Sequence, residues 1–232
     1  SRNVARSMER WGLDNVHVIP PGVDLNRFAP SDGDSIRGSL GFSEDNIVFL
    51  FVGNAKPQKN LERLIDAFVD VHHNCNEARL VVTTELPRSS SSSQIQAIRQ
   101  KINKLGLQPF VVQLGIIDNM PDLIRSADVV ITPFLDSFGP SDYFVAALEA
   151  MACGVPVISS NVGGMPEIIE SPRGSLVDPL DVGAISQAML AYAENPEYRS
   201  LGGEDARRFA LATFDPSLAA DAYRTMYSGV LG

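Results

Sequence analysis

Lys56 and Lys59 stand three positions apart in the run FVGNAKPQKN, directly behind an apolar segment and just before a helical pattern that starts near Asn60. Two ammonium groups set beside a strand-to-helix turn make a local trap for phosphate. Gly53 admits close approach of backbone, and the helix start and Lys59 add positive potential. The run lacks the GxxxxGK[ST] spacing, so it is not a Walker loop. Taken alone it reads equally well as a solvated turn with two surface lysines, with Asn54 completing the loop.

A second chemical signal is a lone carboxylate. Between Asp142 and Glu167 the sequence carries a single acidic or basic residue, Glu149, embedded in the helical run VAALEAMA. Burying that charge without a partner costs several kcal/mol. It therefore turns to solvent or meets a fixed polar group, and a lysine or arginine would serve as well as a ligand. The turn FGPSD ahead of this run places Ser141 or Asp142 as the expected N-cap, which leaves further helix-start amides free. Behind the run, Gly154 is the expected left-handed C′ residue and Pro156 restricts the next strand. Gly163 and Gly164 then open another strand-to-helix turn; close ligand approach and tight turn geometry both account for them.

Short apolar runs alternate with longer amphipathic ones, which predicts βα units on a mostly parallel sheet. Strands are expected at 47–52, 79–84, 110–114, 128–132, 155–158 and 175–177. Helices are expected at 60–73, 93–105, 120–126, 142–152, 164–169, 181–194, 197–212 and 216–230. The pattern is that of an α/β, Rossmann-like, doubly wound parallel sheet, whose ligands bind beyond the carboxyl ends of the strands. Residues 17–30, rich in Pro and Gly, read as a hinge or a leading strand, and the serine run 89–93 reads as a solvated loop.

The chain has 232 residues, 44% of them hydrophobic, which is enough for a substantial core. Its net charge of -9 argues against nucleic acid or an anionic membrane surface as the main partner. Any anion must be caught locally. Two cysteines, Cys75 and Cys153, are too few for a disulfide framework and lack metal-ligand spacing, which suits a reducing, cytoplasmic compartment. No apolar stretch approaches the ~20 residues of a membrane-spanning helix. The chain opens without Met in what reads as a helix, so residues 1–15 are expected to be the end of a preceding domain or an inter-domain helix.

The lysine turn, the helix bearing Glu149 and the Gly-Gly turn all fall at carboxyl ends of strands, where they can surround one crevice. A nucleoside diphosphate fits that set. Lys59 and helix-start amides would meet its phosphates, and the Glu149 carboxylate would accept from vicinal ribose hydroxyls.

Three segments, IPPGVDLNRFAP, FVGNAKPQKNLERLIDAF and ALEAMACGVPVISSNVGGMPEII, resemble in order and spacing the C-terminal, donor-binding half of retaining GT-B glycosyltransferases of the group 1 family. The resemblance runs from Val16 onward. It implies a nucleotide-sugar-binding domain over 16–213, a crossing helix over 214–232 and a further N-terminal domain as partner. By position, Lys59 matches the lysine that neutralises the donor diphosphate, and Glu149 matches the second glutamate of the E-x7-E pattern, which holds the ribose. Phe144 and Val145 match positions whose backbone amides reach sugar or phosphate, and Ile117 lies in the loop that meets the base.

Two positions depart from the family. Asn54 replaces its arginine, with Lys56 as the replacement charge, and Ser141 replaces the first glutamate, with Asp142 adjacent as the group that would reach the sugar and Asp136 further back. The resemblance further implies transfer from a UDP- or GDP-linked sugar to a saccharide, lipid or small-molecule acceptor, with retention of configuration, no metal and no other cofactor. Membrane contact is expected only at a cytoplasmic face and through the other domain. A sugar-nucleotide epimerase or phosphorylase of the same fold, and a catalytically silent nucleotide-sugar-binding domain, are the competing expectations.

Overall fold

The computed structural model describes residues 1–31, 34–84, 93–137 and 142–231. The six strands are β1 (Ile47–Gly53), β2 (Ala78–Thr84), β3 (Val111–Leu114), β4 (Val129–Thr132), β5 (Val157–Ser160) and β6 (Gly174–Val177). All pair in parallel, in the order β3-β2-β1-β4-β5-β6. That order is the doubly wound one, and it reverses between β1 and β4.

The helices are α1 (Arg2–Arg10), α2 (Asp34–Ser39), α3 (Leu61–Asn74), α4 (Ser93–Lys104), α5 (Met120–Arg125), α6 (Val145–Ala152), α7 (Val182–Glu194), α8 (Pro196–Thr213) and α9 (Pro216–Leu231). Strands covered on both faces should be apolar throughout. Val48 to Phe51 of β1 and all of Val129 to Thr132 of β4 are accordingly buried. One core cluster extends from Val23 to Phe214.

Several boundaries differ from the sequence pattern, each for a local reason. The short helix α2 has too few turns to show a period. The strand expected from residue 155 starts at Val157, because Pro156 has no N–H to give the ladder, although its carbonyl accepts from Val130 at 3.1 Å. The expected helix 164–169 is a single 3-10 turn, Met165–Glu167. The expected helix 142–152 starts only at Val145, with Phe144 as N-cap and no side-chain cap. Asp142 is not that cap: its carbonyl accepts from Gly164 N at 3.1 Å and its carboxylate from the Ser1 hydroxyl. Ser141 lies outside the described residues, as does most of the serine run.

Residues 17–30 form no strand. Their chain is pinned instead by two arginines donating to its carbonyls, Arg125 to Ala29 and Arg207 to Phe28, at 2.6 and 2.9 Å. Gly154 takes the left-handed conformation its C′ position predicts, with φ of 77°.

Candidate functional site

The lysine turn is built at the end of β1. Its last residue, Gly53, donates to the Thr83 hydroxyl at 3.3 Å, which fixes the strand end against β2. A Cβ on Gly53 would come within 2.9 Å of the Phe51 ring, so this glycine makes room for the protein's own core. The side chain of Asn54 accepts from Lys56 N at 3.1 Å and shapes the turn locally. A 3-10 turn, Pro57–Lys59, follows, and Asn60 exits it with φ of 59° before α3 begins. The Asn60 amide is buried and donates to the carbonyls of Pro133 and Pro179 at 3.0 and 2.6 Å. Those bonds hold the unfavourable backbone in place.

Lys59 points its ammonium at the face of Phe134, 3.7 Å from the ring centroid, with the Phe144 ring 6.0 Å away. Burial lowers its pKa; Asp136 opposes that shift and Lys56 adds to it. Beside it opens a cavity of about 690 Å³, lined by Gly53, Asn54, Lys56, Lys59 and Ile117 among others. Thus five of the residues singled out in the sequence share one concave wall beyond the carboxyl ends of β1, β2 and β3. Thr83, Gln94, Ile116 and Met120 also line it. Nothing in their local sequence marks them, since only the order of strands brings the β2, α4, β3 and α5 segments to this wall.

Glu149 lies on α6 and is absent from that lining. It is half-buried, and no hydrogen bond or ion pair within 4 Å engages its carboxylate among the described residues. Burial raises its pKa and the field of Arg27 partly offsets this. The expected alternative of a direct lysine or arginine partner is therefore not realised there; Arg27 acts through its field alone. Phe144 and Val145 stand at the start of the same helix. The Phe144 amide donates to Met165 Sδ, a weak acceptor, at 3.4 Å, whereas Val145 is half-exposed.

Asp142, Gly163 and Gly164 form a separate cluster. Gly163 has φ of 59°, and a Cβ there would meet the Asp142 carbonyl at 2.8 Å; at Gly164 it would meet the Tyr143 ring at 2.7 Å. Close packing of the protein on itself accounts for both glycines. The Glu167 carboxylate accepts from the amides of Arg2 and Asn3 and from the Tyr143 hydroxyl at 3.0, 2.8 and 3.0 Å, so this cluster docks the start of α1. Burial pushes Glu167 up, but those three donors outweigh it and hold its carboxyl below the usual range. The Asp142 carboxylate, expected to reach a sugar, is engaged here with Ser1. Among the described residues there is no group of three or more His, Cys, Asp or Glu arranged to hold a metal, and no helix long and apolar enough to cross a membrane.

The family model described as glycosyl transferases group 1 matches residues 46–195. A D-inositol 3-phosphate glycosyltransferase 2 of Catenulispora acidiphila is 32% identical over 227 residues, covering 94% of this chain and 52% of that protein. Among solved structures, the sucrose-phosphate synthase of Thermosynechococcus elongatus aligns with a TM-score of 0.84 and 26% identity over 99% of this chain and 57% of that one. HepE of Anabaena, solved in complex with UDP-glucose, aligns with a TM-score of 0.80 and 24% identity over 91% of this chain and 57% of its own, a likeness of fold. The chain spans about half the length of the curated relatives it matches. Its sheet and flanking helices are those of the C-terminal half of a GT-B fold.

Proposed function

This chain belongs to the group 1 glycosyltransferase family, and we propose that it binds a nucleotide-sugar donor through its diphosphate at the lysine turn. The observation that carries this reading is the placement of Lys59 and Lys56 on one wall of the cavity beyond the carboxyl ends of β1, β2 and β3, where an acidic chain sets two cations together. HepE, which shares the fold, holds UDP-glucose, and this favours a uridine diphosphate sugar among the UDP- and GDP-linked candidates.

The Lys59 ammonium meets the diphosphate, Lys56 adds charge where Asn54 adds none, and the loop at Ile117 contacts the base. The carboxylate of Glu149, without a partner among the described residues, accepts from the ribose hydroxyls. As the glycosidic bond breaks, negative charge grows on the departing diphosphate, and a cation already in position stabilises it without reorganisation. Transfer to an acceptor, with retention of configuration, takes place in the full-length enzyme, with an N-terminal half supplying most acceptor contacts. Cytoplasmic location is part of the same proposal.

The test is calorimetric titration of the chain with UDP, GDP and uridine. UDP is expected to bind more tightly than uridine, and Lys59→Ala to erase most of that difference. Equal affinities for UDP and uridine in the wild type would overturn the diphosphate assignment. A second reading, binding without transfer, is favoured by the Asn54 side chain being spent on its own turn and by Asp142 being engaged with Ser1. A full-length protein that binds donor but neither transfers nor hydrolyses the sugar would establish it.

A further inference from the structure

Lys59 owes its position in the cavity wall to a residue the family motifs leave aside. Its turn and the segment after β4 are stitched together on both sides of it. Leu135 N donates to Gln58 O at 2.9 Å, and Asn60 Nδ2 donates to Pro133 O at 3.0 Å. These two bonds bracket Lys59 on one segment and Phe134 on the other and hold the two residues side by side, with the ammonium 3.7 Å from the ring centroid. Phe134 is itself immobilised. It is 3% exposed, packs edge-on to the Phe51 ring at 6.1 Å, and lies 4.6 Å from the Phe144 ring.

We propose that Phe134 is a positioning residue for donor binding: its ring is the seat that holds the Lys59 ammonium against the cavity, ready for a diphosphate. The inference rests on the nucleotide-sugar reading above and adds a residue to it. A flexible lysine loses rotamer freedom when it grips a ligand, and here folding has already taken that freedom away. The negative face of the ring also compensates the ammonium for part of its lost hydration, so it remains charged while partly shielded from water. The described charged groups facing it are Asp136, which supports the ammonium, and Lys56, which opposes it. Burial has the larger effect and lowers the Lys59 pKa, so diphosphate affinity should fall at a less alkaline pH than a solvated lysine would allow.

The experiment pairs Phe134→Leu, which keeps apolar bulk but removes the aromatic face, with Phe134→Tyr, which keeps both. In spectra of 13C-labelled lysine, the Lys59 ε-methylene is expected well upfield from ring current in the wild type and in Phe134→Tyr. In Phe134→Leu it should return to the ordinary lysine position. By calorimetry, Phe134→Leu should lower UDP affinity about five- to tenfold, leave uridine within about twofold, and Phe134→Tyr should restore UDP binding. Equal losses for UDP and uridine, or unchanged UDP affinity, would overturn the role. If Phe134→Leu does not fold, Phe134→Met carries the same expectation. A wild-type Lys59 signal at the ordinary position overturns the seat alone, whereas a wild type that binds no nucleoside diphosphate overturns the nucleotide reading and this role with it.

Discussion

Asp128 and Glu149 are carboxylates drawn out of water at different places in the sheet, and the fold treats them in opposite ways. Asp128 precedes β4 at the amino edge. Its oxygens accept from Val48 N and the Arg37 guanidinium at 2.7 and 2.5 Å, with Arg199 3.9 Å away. Glu149 has no such partner among the described residues, and its pKa is raised by burial. A carboxylate supplied with donors contributes to assembly of the sheet. One left without them raises the free energy of the folded state, and under the proposed reading the hydroxyls of a bound ribose supply the donors.

The contrast can be broken from either side. The largest expected effect is on Asp128→Ala, which should lose about 3 kcal/mol of stability in urea titrations, because Arg37 loses its carboxylate partner and keeps only backbone carbonyls while the Val48 amide loses its acceptor, and UDP affinity stays unchanged. Next comes Lys59→Ala, with a loss of roughly 2–3 kcal/mol in UDP binding, the range for a charged hydrogen-bonding group, and little change for uridine. Glu149→Gln should weaken UDP and uridine alike by roughly 1–2 kcal/mol and yet raise Tm, by roughly 2–4 °C for each kcal/mol gained in a domain of this size. A lowered Tm would show that Glu149 is structural after all.

The smallest effect is a pH dependence with opposite signs for two observables. The folded pKa of Glu149 lies above its unfolded value, so its ionisation costs stability at neutral pH, and that cost is relieved as pH falls through the folded pKa. Uridine affinity should decline across the same interval, since only the carboxylate accepts two hydroxyls. Both trends should be reduced in Glu149→Gln. Parallel trends for wild type and variant would assign the titration to another group.

Much of the fold was legible because strand and helix periods are local. All six strands lie within a few residues of their expected places, and the doubly wound class follows from the alternation of βα units. The boundary at Val145 was not legible, since the apparent caps, Ser141 and Asp142, look alike in sequence whether or not they cap. Asp142 instead belongs to the Gly163–Gly164 turn and to Ser1, contacts made across the fold. The glycines themselves were visible, but their reason was not: Gly53 and Gly164 are required by the rings of Phe51 and Tyr143 rather than by an evident ligand surface.

For this protein the sequence by itself determined which charges stand out, two lysines at a strand-to-helix turn and one carboxylate in an apolar helix, and that was enough to single out Lys59 and Glu149 and, through three ordered motifs, the family. Periodicity and motif spacing are properties of neighbouring residues, so they survive without a structure. Only the tertiary structure decided what each charge faces. It seated Lys59 on Phe134, 75 positions away in the chain, left Glu149 without a partner among the described residues, and engaged Asp142 elsewhere. Those outcomes depend on strand order and on pairing between distant turns, and no local pattern encodes which turn will lie beside which.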